Sequence, residues 1–148
     1  MYRFSLETVL AHRKHIEDVL QKEFVSRKKE LLMEEERLAL LDEVMMQNLK
    51  TLQEKQRDGV SVSDITLYDN FIKQILIDRG RQIQKIAELE DRLRQKWSEL
   101  IEATKNRKIL DRLKEKELEA YIRELERKER IFMSEIAISG FNLKRPPQ

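Results

Sequence analysis

Cysteine is absent from this 148-residue chain, and glycine and proline occur only three and two times. Without cysteine there are no disulfides, thiolate nucleophiles or cysteine-ligated metals, which is compatible with a reducing compartment such as the cytoplasm. A compact α/β or all-β domain needs frequent turns, yet the first strong turn signal is Asp58-Gly59. The scarcity of turn formers therefore predicts a chain built from long helices.

Long apolar runs are also missing. No run approaches the ~20 apolar residues of a membrane-spanning helix. The chain begins MYRFSLETVL, and Glu7, His12 and Arg13 interrupt the apolar core that a signal peptide requires. We therefore expect a cytoplasmic protein without direct membrane insertion.

The charge is high but balanced, with 30 basic and 28 acidic residues and a formal net charge of +2. Stretches such as RLKEKELEAYIRELERKER alternate the two signs at helical i to i+4 distances, which is typical of exposed helix faces. Nucleic-acid-binding proteins instead gather Lys and Arg into a patch. We therefore expect no nucleic-acid partner, although a basic rod that binds nucleic acid or a membrane surface remains the alternative from another class.

The residues needed for an enzyme site are not present in any recognised arrangement. The three glycines are far apart in the sequence, which rules out the G-x-x-x-x-G-K-[ST] and G-x-G-x-x-G phosphate loops. His12 and His15 have an i, i+3 spacing near Glu7 and Glu17, but no third ligand cluster accompanies them, so solvated helix positions are the better interpretation. We predict no enzymatic activity, no catalytic residues, no cofactor and no metal site.

A coiled-coil pattern runs through the first third of the chain, with alternating steps of four and three residues from Leu6 to Leu52. One of the two alternating positions is apolar six times in seven and the other only three times, which indicates a seam of modest strength. Polar residues such as Glu17 and Glu34 lie in this seam. The pattern leaves open whether the seam pairs within one chain or between two copies.

Two long helices joined by a short loop account for the whole pattern as a single domain, residues 1–148. Gly59 suits the left-handed residue that follows a helix, and Ser61 to Asp64 has the spacing of a capping box, with Ser63 as the other candidate cap. The predicted segments are a helix over about 3–57, a loop over about 58–63, a helix over about 64–139 and an irregular tail over 140–148.

A loop this short makes the helices antiparallel neighbours, so the fold class is an all-α antiparallel coiled-coil hairpin. Residue n then lies opposite about 121 − n, which places Trp97 in the seam and leaves the second helix longer than the first. Some 30 Å of helix, about twenty residues at 1.5 Å each, extend past residue 118. These residues still include apolar side chains that need a partner protein: Tyr121, Ile122, Leu125, Ile131, Phe132 and Ile136.

The segment YDNFIKQILIDRG, residues 68–80, carries more apolar residues than one seam buries. Tyr68, Ile72 and Ile75 are expected to pack against the first helix. Phe71 or Ile77 then has no partner in the seam. We interpret the surplus as a docking surface. The alternative is that it strengthens the hairpin near its bend.

Three segments together resemble the FliJ family of the flagellar type III export apparatus: FSLETVLAHRKHIED (4–18), LYDNFIKQI (67–75) and RKILDRLKEKELEAYIRELERKERIFMSEIA (107–137). The resemblance implies a fold like the stalk of the rotary ATPase gamma subunit, with both chain ends inserted into the ring of the export ATPase FliI. It also implies contact with the export gate protein FlhA, escort of substrate chaperones, and a location peripheral to the inner membrane at the flagellar base. The equivalent stalk of a virulence type III secretion system remains open.

The resemblance also suggests the residues of two binding sites. The predicted ATPase-binding residues are Phe4, Leu6, Val9, Leu10, Arg13, Arg123, Arg127 and Lys128. The predicted export-gate-binding residues are Tyr68, Phe71, Ile75 and Ile77. The alternative for Leu6 and Leu10 is seam packing, and for the charged residues it is simple solvation.

Overall fold

The computed structural model of the chain describes residues 2–144, which form two α-helices that pack as an antiparallel hairpin. Helix α1 is Glu7–Asp58, with 52 residues, and α2 is Val62–Lys144, with 83 residues. No strand occurs among the described residues. The predicted all-α hairpin with a longer second helix is confirmed.

The loop between the helices has the predicted chemistry. Gly59 has a φ of 87°, a left-handed conformation that an L side chain rarely adopts and that ends α1. The Ser61 hydroxyl accepts a hydrogen bond from the Asp64 backbone N–H at 3.2 Å, as expected for the cap of α2. Because Ser61 rather than Ser63 is the cap, α2 begins two residues earlier than predicted.

Both outer helix ends differ from the predicted boundaries. Helix α1 begins at Glu7 rather than near residue 3. Helix α2 continues through Gly140 to Lys144, so the predicted irregular tail is wrong for 140–144, and residues 145–148 lie outside the described residues. A glycine inside a helix costs only about 1 kcal/mol relative to alanine, too little to end a helix by itself. Gly80 likewise lies inside α2, and apart from its chain neighbours and the adjacent helix backbone no atom lies within 4 Å of where a Cβ would lie.

The packing divides into two compact units, each containing part of both helices. The central unit is Asp18–Ile101, and the terminal unit joins the residues up to Glu17 to those from Glu102 onward. The seam of the central unit contains a buried cluster with half-buried residues against it. Its members are Leu31, Ile86 and Leu89, with Leu38 and Leu93 packed on them.

The predicted register is confirmed within each unit. In the central unit the Phe24 ring lies 5.2 Å from the Trp97 ring, centroid to centroid, and Arg79 pairs with Asp42 at 2.6 Å. In the terminal unit Lys114 pairs with Glu7 at 2.9 Å. Trp97 nevertheless remains 50% exposed. Its contact with the first helix was predicted correctly, but its assignment to the core was wrong because it lies one position beside the seam.

One polar seam residue, Glu34, is buried in the central unit and holds the two helices together by hydrogen bonds. Its Oε2 accepts from Gln82 Nε2 at 2.6 Å. Its Oε1 accepts from Lys85 Nζ at 3.1 Å and from Arg37 Nη1 at 3.0 Å. The hydrogen bond from Gln82, followed by that from Lys85, lowers the pKa of the Glu34 carboxyl.

The lowered pKa of Glu34 predicts a pH dependence of stability. The unfolded state binds a proton on Glu34 at a higher pH than the folded state does. The stabilisation is therefore fully present above the ordinary glutamate pKa, about 4.3, and is lost as pH falls through the lowered folded value. We expect the urea midpoint to fall less steeply between about pH 6 and pH 3 in Glu34→Gln than in the native chain.

A matched control for this prediction is Glu36→Gln, which removes the same charge from an exposed position on the same helix. We expect the control to keep the native pH profile. Equal slopes in the native chain and Glu34→Gln would show that the Glu34 hydrogen bonds do not distinguish the folded from the unfolded state.

Candidate protein-binding surfaces

The first candidate surface is the part of α2 that follows Tyr121, residues 122–142, which we call the overhang. The N-terminal segment of the chain reaches α2 as far as this point: the Tyr2 ring lies 5.3 Å from the Tyr121 ring, and the Tyr2 hydroxyl donates to the Lys114 carbonyl at 3.3 Å. Apart from Gly140, every overhang residue is exposed. The overhang is thus a single helix without a covering helix from the described part of the chain.

The overhang displays large apolar side chains to solvent. Phe132 is 61% exposed and Ile136 is 50% exposed, and they share a face because they are four residues apart. The other exposed large apolar residues of residues 122–138 are Ile122, Leu125, Ile131, Met133 and Ile138. Burial of apolar surface against a partner is favourable by about 25 cal/mol per Å². These side chains are therefore exposed in the chain alone, as the sequence predicted for apolar residues beyond the reach of the first helix.

Charges of both signs surround these anchors. Arg127 pairs with Glu124 at 2.7 Å, and this hydrogen bond lowers the pKa of the Glu124 carboxyl. The Arg123 Nε donates to the Glu119 carbonyl at 3.4 Å. Arg123, Arg127 and Lys128 are all exposed, so their charged groups are accessible to an acidic partner surface.

The second candidate surface lies in the central unit, at the start of α2. Phe71 is 47% exposed and lines a shallow groove with Leu67, Asn48 and Lys55. The half-buried Tyr68 also lines the groove, with the Lys55 ammonium 4.8 Å from its ring centroid. We call this surface the loop-side groove. Leu67 and Lys55 were missed by the sequence analysis, although Leu67 belongs to the quoted LYDNFIKQI segment.

The chain matches the family model described as "Flagellar FliJ protein" over residues 2–146. It belongs to the flagellar FliJ protein family. Membership in the FliJ family makes the chain a helical component of type III protein export. The resemblance found in the sequence is thereby confirmed.

Among solved structures, a YscO homologue from Chlamydia trachomatis is similar to this FliJ-family chain, with a TM-score of 0.50. The match covers 98% of this chain and 100% of the other at 22% identity, a level at which the likeness shows the fold. No curated protein matches the chain.

The FliJ-like motif at the N-terminus contains both core and surface residues. Phe4 is buried and Leu10 is 0% exposed, so both belong to the core of the terminal unit and not to its surface. Leu6 and Val9 are exposed, and Arg13 is half-buried. The coiled-coil spacing already placed Leu10 in the seam, which is the alternative given above to its predicted role in ATPase binding.

The predicted gate-binding residues of this FliJ-family chain divide in the same way. Phe71 and Ile77 are exposed, and Tyr68 is half-buried. Ile75 is buried, with only 5% of its surface exposed, and therefore packs in the seam as the helical arc predicted. Its predicted role as a binding residue would require the hairpin to open, because a partner cannot otherwise reach this position.

Metal and membrane sites can be judged over the described residues. Residues 2–144 contain no group of three or more His, Cys, Asp or Glu side chains arranged to hold a metal ion. Within the same residues, neither helix has a stretch apolar enough to span a membrane.

Proposed function

We propose that this FliJ-family chain is the stalk of the flagellar export apparatus. Its overhang and N-terminal segment insert into the ring of the export ATPase FliI, where they promote ring assembly and ATP hydrolysis. The observation that carries the proposal is the exposed apolar overhang, because about twenty residues of amphipathic helix without a covering helix are stabilised by a surrounding protein.

The geometry of the terminal unit supports insertion into a ring. A single helix of about 10–12 Å diameter with side chains is narrow enough for a channel between subunits. Its apolar anchors are interspersed with Arg123, Arg127 and Lys128, which suit a lumen that carries charge. Leu6 and Val9 add exposed apolar side chains from the first helix of the same unit.

The loop-side groove supports a second contact, with the export gate protein FlhA. Phe71 and Leu67 present an aromatic and an aliphatic side chain beside the Lys55 ammonium, a combination typical of protein-recognition sites. Ile77 extends the exposed apolar area. Binding to the gate would hold the chain at the inner membrane peripherally, on the cytoplasmic side, where it could hand over the export chaperones that the family resemblance implies.

Comparison of the full chain with a chain that ends at Glu117 tests the proposal. We expect the full chain to raise the ATP hydrolysis rate of its cognate ATPase severalfold and to co-purify with it. The shortened chain lacks the overhang and is expected to do neither, while keeping the loop-side groove and binding to the gate protein. The measurement is the steady-state phosphate release rate at saturating stalk concentration.

A chain that ends at Asn142 is the matched control, because it is shortened but keeps the overhang. Helicity and thermal unfolding of each version must be measured alongside. Undiminished stimulation by the chain that ends at Glu117, or no stimulation by the full chain of a verified cognate ATPase, would rule out the overhang as the activating element.

A further inference from the structure

A second helical stripe runs along α2 of the central unit, one residue beyond each seam position. Its six members follow steps of 4, 3, 4, 3 and 4 residues, which is the spacing of a coiled-coil seam. They are Ile83, Ala87, Glu90, Arg94, Trp97 and Ile101, and all are exposed. We call this set the outer stripe. Its spacing keeps the six side chains on one line along the helix.

Over the stretch that carries the outer stripe, residues 81–99, the opposite flank of α2 is polar, so the apolar side chains of the stripe are not a general property of this part of the helix surface. The residues that lie one position before each seam residue are Arg81, Lys85, Glu88, Arg92, Gln95 and Glu99. A helix with apolar residues in the seam and on one flank has the pattern of an element packed against more than one neighbour. The structure supplies only α1 as a neighbour in this unit.

Cross-helix ion pairs identify the side of the hairpin on which the outer stripe lies. Lys85 from the polar flank of α2 and Arg37 from α1 bind the same Glu34 oxygen, which places these two residues on one side of the seam. Lys96 likewise pairs with both Glu23 of α1 and Glu99 of α2. The outer stripe therefore lies on the other side of the seam.

Helix α1 enlarges the apolar surface on that side. Val25 and Leu32 occupy positions one residue beyond the α1 seam, the same flank as the outer stripe, and are 45% and 50% exposed. By the observed register, Val25 lies near Trp97. On this side of the central unit, Val25 and Leu32 of α1 thus add exposed apolar area to the outer stripe of α2.

The outer stripe is complementary to itself when it is read in the opposite direction. We propose that a second copy of this chain packs against it, with the two α2 helices antiparallel and crossing near residue 92. In this register Ile83 faces Ile101 of the other copy, Ala87 faces Trp97, and Glu90 faces Arg94. The two-fold axis makes each of the three pairs occur twice.

Each pair in this register is physically favourable. The small Ala87 leaves room for the large indole of Trp97, as in knobs-into-holes packing. Ile83 and Ile101 bury apolar surface against each other at both ends of the stripe. Glu90 and Arg94 bring opposite charges together at the centre. Arg94 already pairs with Asp91 of its own helix at 2.5 Å, and its guanidinium has five donors, enough for both carboxylates.

The antiparallel arrangement is preferred over a parallel one by the same residues. A parallel pair would place Glu90 against Glu90, Arg94 against Arg94 and Trp97 against Trp97. Like charges at the centre are unfavourable, and two indoles lack the small partner that Ala87 provides. The direction of pairing is therefore specified by the order of residues along the stripe.

Charge exchange on the full-length chain tests the proposal without any export partner. In Glu90→Arg the central pairs become Arg against Arg, and in Arg94→Glu they become Glu against Glu. We expect each variant alone to dimerise about tenfold or more weakly than the native chain. An equal mixture of the two variants restores both opposite-charge pairs between unlike chains, so we expect the mixture to recover native association in sedimentation equilibrium.

Two further measurements separate this interface from folding effects. Arg92→Glu makes the same charge change as Arg94→Glu, but on the polar flank, and is expected to leave dimerisation unchanged. The chain has one tryptophan, so association should shift its emission to shorter wavelength as the concentration rises. A native chain that retains the mass of one copy up to millimolar concentration would overturn the proposal, as would a mixture of the two charge variants that fails to associate.

Discussion

Replacement of both Phe132 and Ile136 by serine is expected to abolish the stimulation of the cognate export ATPase. The expected loss of affinity is tenfold or more, because truncation of buried interface anchors typically costs more than 1 kcal/mol each. The two side chains are 61% and 50% exposed in the chain alone, so they contribute little to its own core. Their removal should leave helicity and the unfolding midpoint nearly unchanged.

The mechanism behind this expectation is the absence of a covering helix. The described N-terminal segment reaches α2 at Tyr121 through the Tyr2 ring, and the side chains at 132 and 136 lie three to four helical turns farther on. Their apolar area is buried only when another protein supplies the opposing surface. The double variant therefore tests two individual side chains of the overhang, whereas the shortened chain removes the whole segment.

Leu40→Ser is the matched control for the double variant, because Leu40 is 59% exposed and lies on α1 in the central unit. It should preserve the ATPase stimulation. The measurement is the hydrolysis rate as a function of stalk concentration. An equal loss in Leu40→Ser and in the double variant would show a general effect of removing surface apolar residues, and an unaffected double variant would exclude these two anchors.

Phe71→Ala should reduce binding of the chain to the export gate protein by about tenfold or more while the hairpin stays folded. Phe71 is 47% exposed and lines the loop-side groove beside Leu67, so its ring is available to a partner. An aromatic anchor at the centre of such a contact contributes at least about 1–2 kcal/mol. Isothermal titration with the soluble domain of the gate protein measures the change.

Ile75→Ala provides the contrast, since the sequence grouped Ile75 with Phe71. Ile75 is 5% exposed and packs in the seam, so its truncation is expected to cost about 2–5 kcal/mol of unfolding free energy. Ile109 is 60% exposed in the terminal unit, so Ile109→Ala is the surface control. It should change neither the affinity for the gate protein nor the free energy of unfolding. If Phe71→Ala instead destabilised the chain as much as Ile75→Ala did, the surplus would serve the hairpin and not a partner.

The features predicted correctly from the sequence are those that local spacing specifies. A step of four and three residues fixes which side chains share a face, and a short loop with Gly59 and Ser61 fixes the direction of the second helix. The register followed from the position of the bend alone, and Phe24 against Trp97 confirms it. The spacing and the loop signals are local, and the register follows from them once the bend is placed, so these features need no knowledge of the final packing.

The burial of single side chains was not specified by the sequence patterns. Phe4, Leu10 and Ile75 were selected as binding residues because they match a motif or an apolar arc, but a motif match does not distinguish a side chain that packs inward from one that lies at the surface, and their roles in binding stay predictions. Trp97 shows the converse error, because a large apolar residue one position beside the seam is half-exposed despite its contact with Phe24. Solvent exposure depends on a rotation of about 100° per residue, finer than motif matching resolves.

The sequence by itself determined an all-α hairpin, its register and the excess of apolar residues near residues 68–80 and after residue 121, because composition and periodicity specify local conformation. Only the tertiary structure decided which of those apolar residues are covered. Coverage depends on where the opposing helix begins and ends and on which flank faces the ion pairs of Glu34 and Lys96. Those are relations between residues far apart in the chain, and they emerge only when both helices are packed together.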